Sequence, residues 1–367
     1  MKRIAHVGVD YHVKSLTIAV YLSDTKEFHE TVRLPNDDKV IKKNMKRLSE
    51  QFELRICYEA SGSGYGFQRK MQALGFHCDV IAPSLIPKKS GDRRKNDHKD
   101  ARNLAQLYAN GQLTVVQPPN QQQESIRSLT RCRLALKESE KQVKQQINSF
   151  VLSQDCHWKK SKWTCQHRAW LSGLTMPSTY LQQVLQEYLN LLAYLESRRQ
   201  HLEHEIELIA QSETYAPSVK RLRALKGIGT LTAMVLIAEI TDFRRFPNPR
   251  ALMAFLGLIP GENTSDDARK PTAITKAGNK RCRNLLIESV QHYRKKPRIC
   301  AKMKEAFSHI DAQSCLIATK CLNRLHKRYW ALLLRGKSKQ KSLVAIAREL
   351  VGFIWALMCP QQARVTP

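Results

Sequence analysis

Between residues 4 and 108 the hydrophobic pattern switches repeatedly between a period of two and a period near 3.6, and the order of the switches leaves few folds open. Ile4 to Asp10, Ser15 to Leu22 and Glu27 to Leu34 are three successive strands bounded by turn or polar residues. A helix is predicted over Asp37 to Gln51, a strand over Leu54 to Tyr58 and a helix over Tyr65 to Leu74. His77 to Ala82 then reads as a strand and Asp97 to Tyr108 as a helix.

Three strands, helix, strand, helix, strand, helix is the order of the RNase H-like α/β fold, which we expect over residues 1–115. From Gln121 the pattern becomes a long helix, with Ile126, Leu129, Leu136, Val143, Ile147 and Phe150 spaced by threes, fours and sevens. A second helix begins near Pro177-Ser178 and keeps Leu181, Leu185, Tyr188, Leu192, Leu195, Leu202, Ile206 and Ile209 in heptad phase. Residues 116–214 are therefore expected to form a helical hairpin or coiled coil, serving as a spacer or holding two or more protomers together. Residues 215–358 read as a mainly α-helical domain interrupted by Gly and Pro, and 359–367 as a tail.

Charge narrows the partner. The 367 residues carry 61 Lys+Arg against 32 Asp+Glu, a net +29, and such a surface repels itself unless it meets a polyanion, most commonly a nucleic acid backbone. The N-terminus, Met1-Lys2-Arg3-Ile4-Ala5-His6, is neither a signal peptide nor a myristoylation motif, and no apolar stretch approaches a bilayer span, so no membrane partner is expected. Ten cysteines without a CxxC pair point to reduced thiols in a cytoplasm. Cys156, His157, Cys165 and His167 have metal-ligand chemistry but fit no standard zinc spacing, and three tryptophans interleave them.

Four acids stand at related points of the expected fold. Asp10 closes the first strand, Glu59 closes the fourth within Ile56-Cys57-Tyr58-Glu59-Ala60-Ser61-Gly62, and Asp97 and Asp100 sit three apart at a helix start. In an RNase H-like sheet the first and fourth strands are neighbours, so these carboxylates can face one point, where their repulsion is tolerable only around cations. Oxygen-only ligands select Mg2+, or Mn2+, and two ions about 4 Å apart activate a nucleophile and stabilise a leaving oxygen. Each acid also has an ordinary role, as helix cap, turn former or surface residue. Lys88, Lys89, Arg93, Arg94 and Lys95 form a basic loop just upstream of the acidic pair, placed to hold a phosphate backbone beside it.

Further along, Leu222 to Ala233 carries Gly227-Ile228-Gly229, which fits either a helix-hairpin-helix turn that holds phosphate on backbone N–H groups or a plain helix–helix turn. The net charge favours the former. Gly257-Leu258-Ile259-Pro260 opens a polar loop containing Ser265, followed by Arg269, Lys270, Lys276, Lys280 and Arg281 as candidate nucleic-acid contacts. By composition Ser265 is one loop serine among many, with no Gly-x-Ser-x-Gly elbow around it.

Taken in order, Asp10, the Glu59-Ala60-Ser61-Gly62 context, Asn96-Asp97-His98-Lys99-Asp100-Ala101-Arg102, Gly227-Ile228-Gly229, Gly257-Leu258-Ile259-Pro260 and Ile274-Thr275-Lys276-Ala277-Gly278-Asn279 resemble the transposases of the insertion sequence one-ten family over nearly the whole chain. The resemblance implies a RuvC-like DEDD domain, a coiled coil and a C-terminal transposase domain. It implies metal ligation by Asp10, Glu59, Asp97 and Asp100, and attack on a DNA phosphodiester by Ser265 to give a phosphoserine link. It further implies donor and target DNA, a structured non-coding bridge RNA as guide, a composite site in a dimer to tetramer, and a bacterial or archaeal setting at the nucleoid. One departure stands out: the family commonly has Ser-Gly where this chain has Ser265-Asp266. Two other functions compete, a RuvC-like metal-dependent structure-selective nuclease in which Ser265 is incidental, and a non-catalytic nucleic-acid-binding protein.

Overall fold

A computed structural model describes residues 2–60, 62, 64–87, 96–265 and 268–360; within these, the side chains of 84, 262–265 and 268–271 are outside the description. The chain divides into two compact units, Met1–Pro119 and Asn120–Pro367.

The first unit is a mixed six-stranded sheet with helices on both faces. Its elements are β1 (Arg3–Tyr11), β2 (Ser15–Leu22), β3 (Glu27–Pro35), α1 (Asp38–Gln51), β4 (Phe52–Glu59), α2 (Gly66–Ala73), β5 (Cys78–Ile81), α3 (Asp97–Ala109) and β6 (Val115–Val116). The spatial order is β3-β2-β1-β4-β5-β6. β1, β2 and β3 form an antiparallel meander, β1 and β4 run parallel, as do β4 and β5, and β6 returns antiparallel. The expected sequence of strands and helices is present, with the two-residue β6 added.

Strand alternation assigns each residue a face. Ala5, Val7 and Val9 of β1 pack with Ile56 and Tyr58 of β4, Ile41, Met45 and Leu48 of α1, and Phe67 and Met71 of α2. His6, Gly8 and Asp10 therefore point to the other face, as do Cys57 and Glu59, and α3 covers that face. The packing there is unusually close. A Cβ placed on Gly8 would lie 2.3 Å from the Ala101 carbonyl oxygen and 2.4 Å from the Ala105 nitrogen.

In the second unit α4 (Gln121–Ser153) starts with a reciprocal capping box between Asn120 and Gln123. α5 (Cys165–Ser172) follows, and α6 (Thr179–Ala210) is capped by Ser178. Glu140 of α4 bonds Arg199 of α6 at 2.6 Å, Lys144 meets Glu196 at 3.0 Å and Arg133 pairs with Glu203, so the heptad-spaced helices form an antiparallel hairpin.

The rest of the unit comprises α7 (Ala216–Arg223), α8 (Thr230–Ile240), α9 (Pro249–Phe255), β7 (Pro260–Ser265), β8 (Ala268–Ile274), α10 (Lys280–Ser289), α11 (Ala301–Phe307), α12 (Ala312–Leu334) and α13 (Lys339–Met358). These helices share one core with the base of the hairpin, including Ile126, Ile206, Leu222, Leu236, Leu286, Leu325, Leu350 and Trp355. The segment read above as a polar loop is a two-stranded hairpin, β7 with β8. Gly261-Glu262-Asn263-Thr264-Ser265 is poor in strand formers, so pairing rather than propensity makes it extended.

Glu239 of α8 is buried, its side chain 2% exposed, and Arg131 of α4 bonds both its oxygens, at 2.7 and 2.8 Å. Asn279, the N-cap of α10, donates to it at 2.7 Å. Burial works to raise the Glu239 pKa; Arg131 and Asn279 outweigh it and hold the carboxylate below its usual range.

Two stability outcomes follow from these contacts. Gly8→Ala forces α3 off β1 and should destabilise the first unit by about 1–3 kcal/mol in urea unfolding; wild-type stability would contradict the close approach. Glu239→Ala removes the acceptor of Arg131 and Asn279; because Arg131 is 42% exposed and stays solvated, the cost should be about 1–3 kcal/mol at neutral pH. Because the folded pKa is depressed, the contribution is present above the unfolded carboxylate pKa and fades on acidification, so wild type and variant should converge in melts at low pH.

Candidate active site

Asp10 lies at the end of β1, opposite Thr17 of β2. Val9 pairs with Tyr58 in the parallel β1–β4 ladder, so Asp10 and Glu59, one step further, are neighbours at the carboxyl ends of adjacent strands. α3 starts on the same face. Asn96 caps it, its side chain accepting from the His98 N–H at 3.0 Å, which places Asp97 and Asp100 in the first turn. The close seat of Ala101 and Ala105 over Gly8 holds that turn near the end of β1.

The tightest gathering of donor atoms among the described residues is Asp10, His12 and Asp97, all within 4.8 Å of one another. His12 Nε2 is 3.2 Å from Asp10 Oδ2 and 3.7 Å from Asp97 Oδ1. Glu59 and Asp100 are outside this innermost group, although the Asp100 charge is felt at Asp10. His12 is the residue that sequence reasoning missed. An Asp-x-His at the end of the first strand was the available signal, because alternate residues share a face. The turn carrying it is pinned: the His12 N–H donates to the Ser15 carbonyl at 2.9 Å, and Asn36 Nδ2 donates to the Tyr11 hydroxyl at 2.9 Å and to the Val13 carbonyl at 3.1 Å.

Burial, and then the nearby Asp97 and Asp100, push Asp10 above the ordinary carboxylate range against the opposing pull of His12. The donor set fits a divalent cation. Octahedral ligands about 2.1 Å from an ion are about 3 Å apart when adjacent and about 4.2 Å apart when opposite, close to the separations here. Carboxylate oxygens suit Mg2+ and Mn2+, and an imidazole nitrogen suits Mn2+ better than Mg2+.

The remaining candidates are dispersed. Lys88, Lys89, Arg93, Arg94 and Lys95 lie outside the described residues. Ser265 is the last residue of β7, its backbone paired with Ala268 at the tip of the hairpin, and its side chain is outside the description, as are those of Arg269 and Lys270 on β8. The base of that hairpin is tied by Thr275 N–H to the Ile259 carbonyl at 2.9 Å and Lys276 N–H to the Gly257 carbonyl at 3.2 Å. Lys276, Lys280 and Arg281 are exposed.

Gly227-Ile228-Gly229 joins α7 to α8. Gly227 has φ +87°, and a Cβ there would meet the Ser289 carbonyl at 2.3 Å; Ile228 is buried, and Gly229 is the N-cap of α8. A cavity of about 390 Å³ opens beside Thr230, the first residue of α8, lined also by Lys220, Arg223, Lys302 and Glu207. The Cys156/His157/Cys165/His167 segment is used for packing: His167 sits among Trp158, Trp163 and Trp170, and its Nδ1 accepts the Trp163 N–H at 3.0 Å.

Comparison with known proteins identifies the family of the chain. Residues 7–154 match the DEDD transposase family of IS110, and residues 219–304 match the family described as Transposase IS116/IS110/IS902. The chain is 36% identical over 367 residues to the provisionally named transposase y4qE of Sinorhizobium fredii, covering 99% of this chain and 90% of that protein. It is 31% identical over 259 residues to the transposase for insertion sequence element IS1533 of Leptospira borgpetersenii, covering 70% and 75% of the two chains. A more distant match, 22% identical over 311 residues, is the transposase for insertion sequence element IS1111A of Coxiella burnetii, covering 84% and 78%. The chain belongs to the IS110/IS116/IS902 family of transposases.

Proposed function

We propose that the first unit is an RNase H-like, RuvC-like nuclease domain in which Asp10, Glu59, Asp97 and Asp100 hold Mg2+ or Mn2+, with His12 as an added donor, and that Ser265 is the nucleophile. Family membership makes the chain a DNA-acting transposase; the recombination chemistry is our reading. The observation that carries it is the meeting of Asp10, Glu59 and the first turn of α3 at one end of one sheet face, where burial leaves Asp10 poorly compensated.

A bound divalent cation would supply Lewis-acid stabilisation of charge at a scissile phosphate. The Ser265 Oγ attacks phosphorus and gives up its proton; the bond from phosphorus to the departing sugar oxygen breaks, and that oxygen gains a proton. One ester replaces another, so a hydroxyl on a new strand can reverse the step and rejoin DNA without external energy. A nuclease that activates water has no need of such an ester, and a non-catalytic binder has no need of the half-buried Asp10. Asp266, in place of the family's Gly, stands beside the proposed nucleophile.

The finer organisation is read the same way: a nuclease domain at 1–115, a helical connector at 116–214, a transposase domain at 215–358 and a tail at 359–367. Lys88, Lys89, Arg93, Arg94, Lys95, the Gly227-Ile228-Gly229 turn, Arg269, Lys270, Lys276, Lys280 and Arg281 would hold donor and target DNA and a structured guide RNA. Lys280 and Arg281 occupy the first turn of α10, where the helix dipole disfavours cations, so an anionic partner accounts for them better than stability does. Exposed Tyr180, Val184, Leu191 and Tyr194 recur at spacings of four, seven and three along α6, which suits a coiled coil with a second copy and assembly to a dimer or tetramer. No helix among the described residues is long and apolar enough to cross a membrane, and we place the protein in the cytoplasm at the nucleoid.

Two outcomes test the reading. Asp10 has a raised folded pKa, so its ionisation opposes folding as pH rises through the ordinary carboxylate value of 3.8. Without metal, Asp10→Asn should therefore melt higher than wild type at pH 7, with the gain vanishing below that value. With Mg2+ wild type should gain stability and the variant should not, and the variant should fail to cleave. If Mg2+ leaves wild type unmoved, the metal site is wrong. Ser265→Ala should bind metal and DNA normally yet form no denaturation-resistant protein–DNA adduct on cognate-end DNA, whereas Thr264→Ala should stay within roughly tenfold of wild type, about 1.4 kcal/mol of barrier. Cleavage by Ser265→Ala at the wild-type rate would replace the serine mechanism with water activation.

A further inference from the structure

Residues 312–348 contain nine Lys and Arg and no Asp or Glu, and they lie beyond the segments that match the family descriptions. They form α12, the turn after it and the first half of α13. Leu322, Leu325 and Tyr329 of α12 face the core, so helical periodicity sends Lys320, Arg324, Lys327 and Arg328 to the opposite side, where all four are exposed around a shallow groove. Arg324 and Arg328 share one acid, Glu349 of α13, at 3.1 and 3.2 Å. Lys320 and Lys327 have no acidic partner among the described residues. The strip continues through exposed Arg335 and Lys337 to Lys339 and Lys341 in the first turn of α13.

Stability does not explain this placement. Like charges three and four residues apart on a helix repel, and cations at a helix N-terminus oppose its dipole. Trp330, 46% exposed, stands at the edge of the same face with its Nε1 tied to the Arg294 carbonyl at 3.3 Å, which brings a further basic segment alongside.

We propose that the outer face of α12, continued into the start of α13, is a binding surface for the phosphate backbone of duplex DNA. The proposal rests on the DNA-recombining function above and gives it a surface outside both the acids and the serine hairpin. Lys320 to Ala331 spans about 16 Å of helix, and duplex DNA carries one charge per about 1.7 Å of axis. A duplex of that length carries on the order of nine phosphate charges, of which those on the facing side are within reach of the strip. DNA is favoured over RNA because DNA is the substrate that family membership establishes. The surface offers chiefly point charges, so it holds and orients a duplex without reading its sequence.

The test uses the full-length protein and a fluorescein-labelled 30-base-pair duplex of arbitrary sequence, with anisotropy titrations from 50 to 250 mM NaCl. The variant Lys320→Gln/Lys327→Gln/Lys337→Gln/Lys339→Gln breaks no ion pair described here, and its melting temperature should match wild type. Its affinity at 100 mM NaCl should fall at least tenfold, and its log–log salt slope should shrink by about 3.6 units, near 0.9 for each of four lost contacts. Lys39→Gln/Lys42→Gln/Lys43→Gln/Lys46→Gln on α1, on the sheet face away from the acids, removes the same charge and should change the slope by less than one unit. If the α12 variant keeps the wild-type slope, or loses no more than the α1 variant, the surface is not a DNA site. Loss confined to a labelled RNA hairpin titrated in parallel would likewise overturn the proposal. A flat salt dependence in wild type on both probes would instead overturn the nucleic-acid reading as a whole.

Discussion

The meeting of the acids depends on one steric fact, that β1 carries no side chain at residue 8. α3 lies so close to β1 that a methyl group on Gly8 would overlap the backbone at Ala101 and Ala105, and both of those residues are themselves small. Asp97 is one helical turn before Ala101, and Asp10 is two residues after Gly8 on the same sheet face. Seating the helix on the glycine thus sets the distance between the carboxylates. The pinned turn after β1 then brings His12 into the remaining space. A larger residue at position 8 would leave every acid in place along the chain and still dissolve the site.

Glu239 plays the corresponding part in the second unit. A lone buried carboxylate is costly, and this one is tolerable because Arg131 and Asn279 reach it from α4 and from the cap of α10. The same asparagine fixes the start of α10, just after the strand that pairs with the Ser265 segment. The position of the serine hairpin is therefore tied, through the cap of α10, to the ion pair that joins Glu239 of α8 to Arg131 of α4. Position and stability are supplied by the same contact.

Much of this was legible in the sequence, and the limits have physical causes. Strand and helix order could be read because all elements of the first unit except the four-residue β5 and the two-residue β6 keep their period over eight or more residues, and Asn96 and Ser178 signal their helix starts by capping chemistry. Asp10, Glu59, Asp97 and Asp100 could be chosen because the expected fold fixes which strand ends are neighbours. Gly8 could not be singled out, since a glycine in a strand is as readily a bulge as a close approach. His12 needed the geometry of a turn. The β7–β8 hairpin was missed because its residues lack strand propensity and only the register between them makes it extended. The acid-free run in α12 could be counted in the sequence, but its outward side was defined only once the buried side of the helix was known.

The strength of a functional signal here varies inversely with how well stability alone explains the residue. Asp97 and Asp100 are favoured where they stand, because a helix N-terminus attracts negative charge whether or not metal is present. Asp10 is supported only by His12: burial and its acidic neighbours outweigh that pull and raise its pKa, so the folded chain carries it against its own stability. The cations follow the same logic. Arg131 is explained by Glu239, and Arg199 by Glu140 and Glu203. Lys280 and Arg281 at the start of α10, and Lys339 and Lys341 at the start of α13, are set against a helix dipole with like charges around them. Residues kept at such a cost are the ones for which we propose compensation from outside the chain, by a cation at Asp10 and by phosphate at the basic helix starts.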